Sequence, residues 1–189
     1  VHYAGVACEM DKINSIATKY NLKVVEDAAQ GVCAAYKGSA LGSLGDLGAL
    51  SFHETKNLTS GQGGSLIVSD PTLSSRAEII LERGTDRSRF IRGEVKKYTW
   101  QAVGSSFVPG EIIAAVLLAQ LEQAEKITSE RLVIWYRYQE MLESAEKNGK
   151  LRRPIIPTEC QHNAHIYYVL LPAEVNRQSI ILALKKNNI

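Results

Sequence analysis

Only about ten residues separate two short apolar, strand-like runs, Ala49 to Phe52 and the stretch GGSLIVSD at 63–70. A parallel pair needs a crossover of about a dozen residues or more, so these two runs are expected to pair antiparallel. The run ahead of them, LKVVEDAAQG, reads as a buried β-branched strand whose carboxyl end opens into a site. It is entered from EMDKINSIATKY, residues 9–20, where Met10, Ile13, Ile16, Ala17 and Tyr20 recur at helical spacing and define one buried face. Helix followed by strand implies an α/β layer architecture, with a mixed sheet that carries one reversed strand. At 189 residues with 45% hydrophobic side chains, the chain is expected to bury on the order of 70% of its unfolded surface without a disulfide or metal staple.

Charge and cysteine usage narrow the function classes. A formal charge of +2 does not advertise nucleic-acid binding, although it leaves room for a local basic patch around an anionic small ligand. No apolar run approaches the roughly 20 residues of a membrane span. Cys8, Cys33 and Cys160 are odd in number and widely separated, which points to a reducing cytoplasm rather than a disulfide framework. The opening VHYAGVACEM reads like a strand end and its loop, so the chain is expected to be an internal piece of a longer protein.

Further along, Asp70 and Pro71 mark a helix start, and LSSRAEIILER continues it to Gly84. Gly84 to Gly104 is polar, arginine-rich and aperiodic, and a structureless connection of that length is usually functional. A long helical pattern follows Pro109 and Gly110 and stops at Gly149. A break near Ile127, with Thr128 recapping a second helix, predicts two regions, 1–127 and 128–189. The remainder reads as loop, a strand at His165 to Leu171, and a helix from about Arg177 to Lys186.

Chemistry concentrates at two strand ends. Asp27 closes VVED, and Lys56 lies 29 residues later in SFHETKN. In an open α/β sheet the ligand crevice lies outside the carboxyl ends of the strands, so both side chains can project into one pocket. A lysine amine condenses with an aldehyde, and a carboxylate facing a pyridine nitrogen keeps it protonated and turns the ring into an electron sink. That is the minimal equipment for pyridoxal phosphate chemistry. Ser51, five residues before Lys56, offers a hydroxyl to a phosphate, and Gln30, three residues after Asp27, can lie against the ring. Taken alone, Asp27 is more often a turn or cap residue.

In combination, HYAGVACEMD, VVEDAAQG, GALSFHETKN and the GSS-then-AQLE pattern resemble the DegT/DnrJ/EryC1/StrS sugar aminotransferase family, fold type I pyridoxal phosphate enzymes. Within it, SFHETKN, the RGTDRSRF loop and KYTWQAVGSS are closest to the branch that makes dTDP-4-amino-4,6-dideoxygalactose for enterobacterial common antigen and related surface polysaccharides. The resemblance covers nearly the whole chain. It implies a mostly parallel mixed sheet from a large cofactor-binding domain (1–127), with a bridging helix and the start of a small α+β domain (128–189). It implies Lys56 as the Schiff-base lysine, Asp27 as the pyridinium partner, Gln30 on the ring face and Ser51 on the phosphate. Many relatives carry Asn where this chain has Ser106, reaching the phosphate in the partner subunit; the nearer branch has Ser, which leaves Ser106 a weaker candidate. Pro109-Gly110-Glu111 departs from the branch's usual Ser-Asp helix start. The resemblance further implies glutamate as amino donor, a nucleotide-linked 4-keto-6-deoxy sugar as acceptor and a homodimer. Lys56 argues against dehydratase relatives that carry His there. The family's phosphate-binding helix and ring-stacking aromatic would precede Val1.

Other features weigh less. Arg83, Arg87, Arg89 and Arg92, with Phe90, Tyr98 and Trp100, are balanced between embracing a nucleotide diphosphate and forming a solvated loop. Cys160, His162 and His165 lack a fourth metal ligand. Trp135, Tyr136 and Tyr138 are expected to pack against a core or a partner. The rival readings are a related pyridoxal phosphate enzyme acting on another nucleotide sugar, and a catalytically silent folding or dimerisation module.

Overall fold

The computed structural model describes residues 1–189. Its first sheet has the order β1-β4-β5, with β1 at Val25–Asp27, β4 at Leu47–Ser51 and β5 at Gly64–Val68. β1 and β4 run parallel, placing Asp27 opposite Ala49. β4 and β5 run antiparallel, from Leu47 opposite Val68 to Ser51 opposite Gly64. The short connection thus dictates the reversed strand, as its length requires.

A second sheet has no counterpart in the sequence reading. β2 (Ala35–Tyr36) pairs antiparallel with both β3 (Ser39–Ala40) and β6 (Cys160–Gln161). The core joins the two sheets: Met10 of α1 (Met10–Lys19), Ala28, Ala34, Tyr36, Leu41 and Cys160 form one buried cluster. Of the five residues expected on the buried face of α1, only Met10 and Ala17 are buried, while Ile13, Ile16 and Tyr20 are exposed. Nothing in the chain covers that side of the helix.

Gly48 shows how tightly β4 is overlaid. A Cβ there would lie 1.9 Å from the Gly42 carbonyl oxygen, so the loop before β4 packs directly on the strand backbone. That loop is fastened by Glu26, the residue before Asp27. Its buried carboxylate accepts from the amides of Gly42 (2.9 Å), Leu44 (2.5 Å) and Gly45 (2.6 Å) and from His2 Nε2 (2.7 Å). The His2 tautomer follows, because Nδ1 accepts from the Cys8 amide and Nε2 therefore donates.

After β5, Asp70 accepts from the Thr72 amide at 2.9 Å and Pro71 opens a 3-10 turn that leads into α2 (Ser74–Leu81). The 84–104 connection is not structureless. It contains α3 (Arg87–Ile91) and closes through a Thr85–Trp100 bridge. Buried Asp86 fastens it by accepting from the Thr99 amide (2.7 Å) and Gln101 Nε2 (3.2 Å). α4 spans Glu111–Glu122 and α5 spans Ala124–Met141, so the break falls at Gln123 rather than near Ile127. Thr128 lies inside α5, and its buried hydroxyl has no hydrogen-bond partner, so it caps nothing. α6 (Glu143–Lys147) precedes Gly149, whose φ of +70° lets the chain leave the helix. The expected strand at 165–171 is irregular, with a single Leu170–Arg152 bridge. Those residues pack on α5 instead, with Trp135 Nε1 donating to the Ile166 carbonyl at 3.2 Å. α7 occupies Arg177–Lys186, capped by Asn176.

The surface corrects the composition estimate. Only 26 of 189 residues are buried, and 12,835 Å² is accessible, against about 8,900 Å² for a folded monomer of this mass. The excess lies on apolar faces, including Ile112 (83% exposed) and Leu118 (59%) of α4 and Leu66 (54%) of β5.

Candidate active site

Four elements converge at the carboxyl ends of β1 and β4. Asp27 ends β1 and is exposed; one carboxylate oxygen accepts from the Ala29 amide at 3.1 Å, which leaves the other free for a ligand. Ser51 ends β4, and its Oγ accepts from the His53 amide at 3.3 Å, so its O–H is free to donate. Lys56 follows in a turn held by its own amide bonding the His53 carbonyl at 2.9 Å. Gln30 sits in the loop after β1, where Oε1 accepts from the Ala4 amide at 2.6 Å.

Gln30, Ser51 and Lys56 line one small pocket. Asp27 stands beside it at the end of the neighbouring strand, and Ser106 is elsewhere. Ser106 lies between α2 and α4 and bridges Glu82, with its Oγ accepting from Arg83 at 3.2 Å.

The same pocket is lined by three polar residues that the sequence alone does not assign to it: Asn57, Asn163 and His165. Asn57 Nδ2 donates to the Asn163 carbonyl at 2.7 Å, and Asn57 Oδ1 pairs with His165 Nδ1 at 3.0 Å. Asn163 is 1% exposed and donates to the carbonyls of Gln30 (2.8 Å) and Val32 (2.7 Å). Arg131 of α5 holds the segment from behind through the Ala164 and His165 carbonyls. Asn57 directly follows Lys56, and the residues of NAHIYY are apolar enough to read as a strand, so only the contact across more than a hundred residues reveals the cluster.

Electrostatics separate these groups. Burial pushes the His165 imidazole down to about 4, and the Lys56 and Arg131 cations add to it. Burial likewise lowers His162, which lies with its ring centre 4.4 Å from that of Trp135. For Glu26, burial pushes the carboxyl up, but the bonds from His2, Gly45, Gly42 and Leu44 outweigh it and hold it below the usual range. All three shifts act in one direction. The folded chain binds these protons more weakly than the unfolded chain, so their stabilisation is present at neutral pH and lost on acidification. For His165 the loss falls between its ordinary 6.5 and about 4. Urea-unfolding midpoints are therefore expected to decline from pH 7 to pH 4, and His165→Gln is expected to flatten the upper part of that decline. A midpoint constant across that range contradicts it.

The arginine-rich connection proves mostly self-neutralised. Arg87 pairs with Glu82, Arg89 with Glu94, and Arg92 with both Glu78 and Glu94. Phe90 and Tyr98 pack on each other, with ring centres 5.7 Å apart. Only Arg83 among the four lacks a carboxylate partner. Cys160, His162 and His165 do not come together as a ligand set. Trp135 is buried, whereas Tyr136 and Tyr138 are about half exposed.

The donor set suits a phosphorylated pyridine aldehyde: an amine, a strand-end carboxylate with one free oxygen, a hydroxyl free to donate, and a tethered amide. Comparison with known proteins agrees. The sequence matches the DegT/DnrJ/EryC1/StrS aminotransferase family over residues 1–189. It is 34% identical to the uncharacterized protein MJ1066 of Methanocaldococcus jannaschii, over 100% of this chain and 50% of that protein. It is also 34% identical to a GDP-perosamine synthase of Caulobacter vibrioides, over 90% of this chain and 44% of the relative. The solved structure of an aminotransferase from Psychrobacter cryohalolentis superposes with a TM-score of 0.88 at 27% identity, covering 100% of this chain and 51% of that one. The chain thus spans about half the length of the relatives it matches.

Proposed function

The chain belongs to the DegT/DnrJ/EryC1/StrS aminotransferase family, and from that premise we propose that it forms part of an enzyme that transfers an amino group from glutamate to a nucleotide-linked 4-keto-6-deoxy sugar. The observation that carries this reading is the meeting of Lys56, Ser51 and Gln30 in one pocket beside the strand end that presents Asp27. Aminotransferases of this family use pyridoxal 5′-phosphate. When bound, that group supplies the electron sink for moving an amino group between carbons. Lys56 Nζ would hold the group at its aldehyde and would serve as the general base and acid that moves the proton. The free oxygen of Asp27 would accept from the pyridine N–H and keep the ring protonated. Ser51 would donate its hydroxyl hydrogen to the phosphate, and Gln30, held by Ala4, would lie against the ring.

The GDP-perosamine synthase relative supports a nucleotide-sugar acceptor. We place the reaction in surface-polysaccharide synthesis, in the cytoplasm. No helix is long and apolar enough to cross a membrane. We also read residues 1–127 as part of the cofactor domain, residues 128–189 as the bridge into a smaller one, and the working enzyme as a homodimer. The uncovered apolar faces of α4 and β5 support an assembly larger than this chain.

The test adds pyridoxal 5′-phosphate to the chain and, in parallel, to a lengthened version. The expected result is a visible absorbance band that disappears with glutamate and returns with a nucleotide-linked 4-keto-6-deoxy sugar, with an amino sugar found by mass spectrometry. A band only in the lengthened version assigns the activity to the longer protein and leaves this chain a folding or dimerisation module. No band in either overturns the reading.

A further inference from the structure

The Asn57 amide has only one workable orientation. The Asn163 carbonyl can only accept, so Asn57 must turn Nδ2 towards it, at 2.7 Å, and Oδ1 towards His165. Oδ1 in turn can only accept, so the hydrogen of the neutral imidazole sits on Nδ1, and Nε2 is left as a bare lone pair. No protein group bonds Nε2, and the ring lines the pocket that holds Lys56.

The surroundings fix this arrangement. Asn163 spends both amide hydrogens on Gln30 and Val32, and its Oδ1 accepts from the His165 amide at 3.1 Å. A Cβ on Gly5 would lie 2.0 Å from that Oδ1, so the Asn163 side chain is boxed in by backbone. The charged groups nearest the ring are Lys56 and Arg131, both cations, and no carboxylate bonds it. The imidazole therefore has no anion to favour its protonated form and remains an acceptor.

We propose that Asn57 and His165 are positioning residues for Lys56: Asn57 locks the imidazole tautomer, and His165 Nε2 accepts a hydrogen bond from one water that the Lys56 amine also bonds, restraining where that amine points. This rests on Lys56 being the reactive amine of the site, and it adds two residues to the set that governs it. The bridge also ties the lysine turn to the Gln30 loop through Asn163, so amine and ring-face amide are held by one rigid piece.

The test is read in the cofactor-free chain, so a failure of the pyridoxal phosphate reading does not decide it. Trace acetic anhydride labels the lysines at pH 8, and mass spectrometry compares Lys56 with the other lysines. Removing the acceptor in His165→Phe is expected to raise relative labelling of Lys56 by about fivefold, the worth of one hydrogen bond. His165→Gln, which restores an acceptor, is expected to return it close to the parent value. Equal labelling in parent and Phe variant, or equal elevation in the Phe and Gln variants, overturns the proposal. Nitrogen-15 NMR of the parent covers the case in which the Phe variant fails to fold. Protonated Nδ1 and bare Nε2 are expected, with the preference lost in Asn57→Ala, whereas a protonated Nε2 in the parent overturns the lock.

Discussion

Lys56→Ala is expected to abolish the visible absorbance that pyridoxal 5′-phosphate acquires on the protein, and to reduce amino transfer by about 10⁴-fold. The size follows from one side chain performing two tasks. On the proposed function its amine would hold the cofactor's aldehyde, and the same amine would move the proton, a service typically worth about 10²–10⁴-fold by itself. Lys56 is half-buried at the edge of the pocket and is engaged in no ion pair, so its removal leaves no buried charge unpaired and the fold should persist. Lys56→Arg separates charge from chemistry: it keeps a cation but loses the nucleophile, and its loss should match that of the Ala variant. A variant of either kind that retains the band and more than about a tenth of the rate places the reactive amine elsewhere. The measurement belongs in whichever form of the protein, this chain or the lengthened one, binds the cofactor.

The candidate site was legible because its known parts are local. Asp27 and Gln30 lie at and just after the end of β1, Ser51 and Lys56 at and just after the end of β4, and these two strands are parallel neighbours, while the ten-residue connection accounts for the antiparallel β5 on the other side of β4. Asn163 and His165 reach the same pocket from more than a hundred residues away, and no periodicity encodes that contact. Similar reasoning explains the missed second sheet. β2, β3 and β6 contain two residues each, too few to show an alternation, and β6 joins β2 from the far end of the chain. The apolar run from His165 reads as a strand in sequence because strand and packed irregular segment look alike over seven residues. Arg131 and Trp135 decide it, taking the His165 and Ile166 carbonyls in place of a neighbouring strand. Sequence leaves Arg83, Arg87, Arg89 and Arg92 balanced between an anion clamp and a solvated loop, because it shows charges but not their partners. Glu78, Glu82 and Glu94 answer three of the four.

Glu26→Ala is expected to be the most destabilising single change in the chain, by about 3–5 kcal/mol. Glu26 is 3% exposed, and its carboxylate is the sole acceptor for His2 Nε2 and for the amides of Gly42, Leu44 and Gly45. Truncation leaves four donors without their acceptor. The neighbouring Gly48 leaves the 42–45 loop no slack to move inward, since the Gly42 carbonyl already rests against the β4 backbone. Thermal unfolding should fall by roughly 10 °C or more for a chain of this length. Glu26→Gln tests the cause, because its amide keeps one acceptor but turns two hydrogens towards existing donors. It should recover little of the loss if the carboxylate's acceptor count is decisive, and most of it if side-chain volume is. The consequence reaches the site, because Glu26 anchors β1 one residue before Asp27, and the 42–45 loop it fastens is packed on the strand that ends at Ser51. Loosening it should weaken pyridoxal 5′-phosphate binding even in a folded variant, while leaving the chemistry of Lys56 intact once the site is saturated. That combination, raised cofactor Kd with preserved rate at saturation, separates Glu26 from Lys56. A Glu26→Ala protein that melts with the parent would show that the loop is held by backbone packing alone.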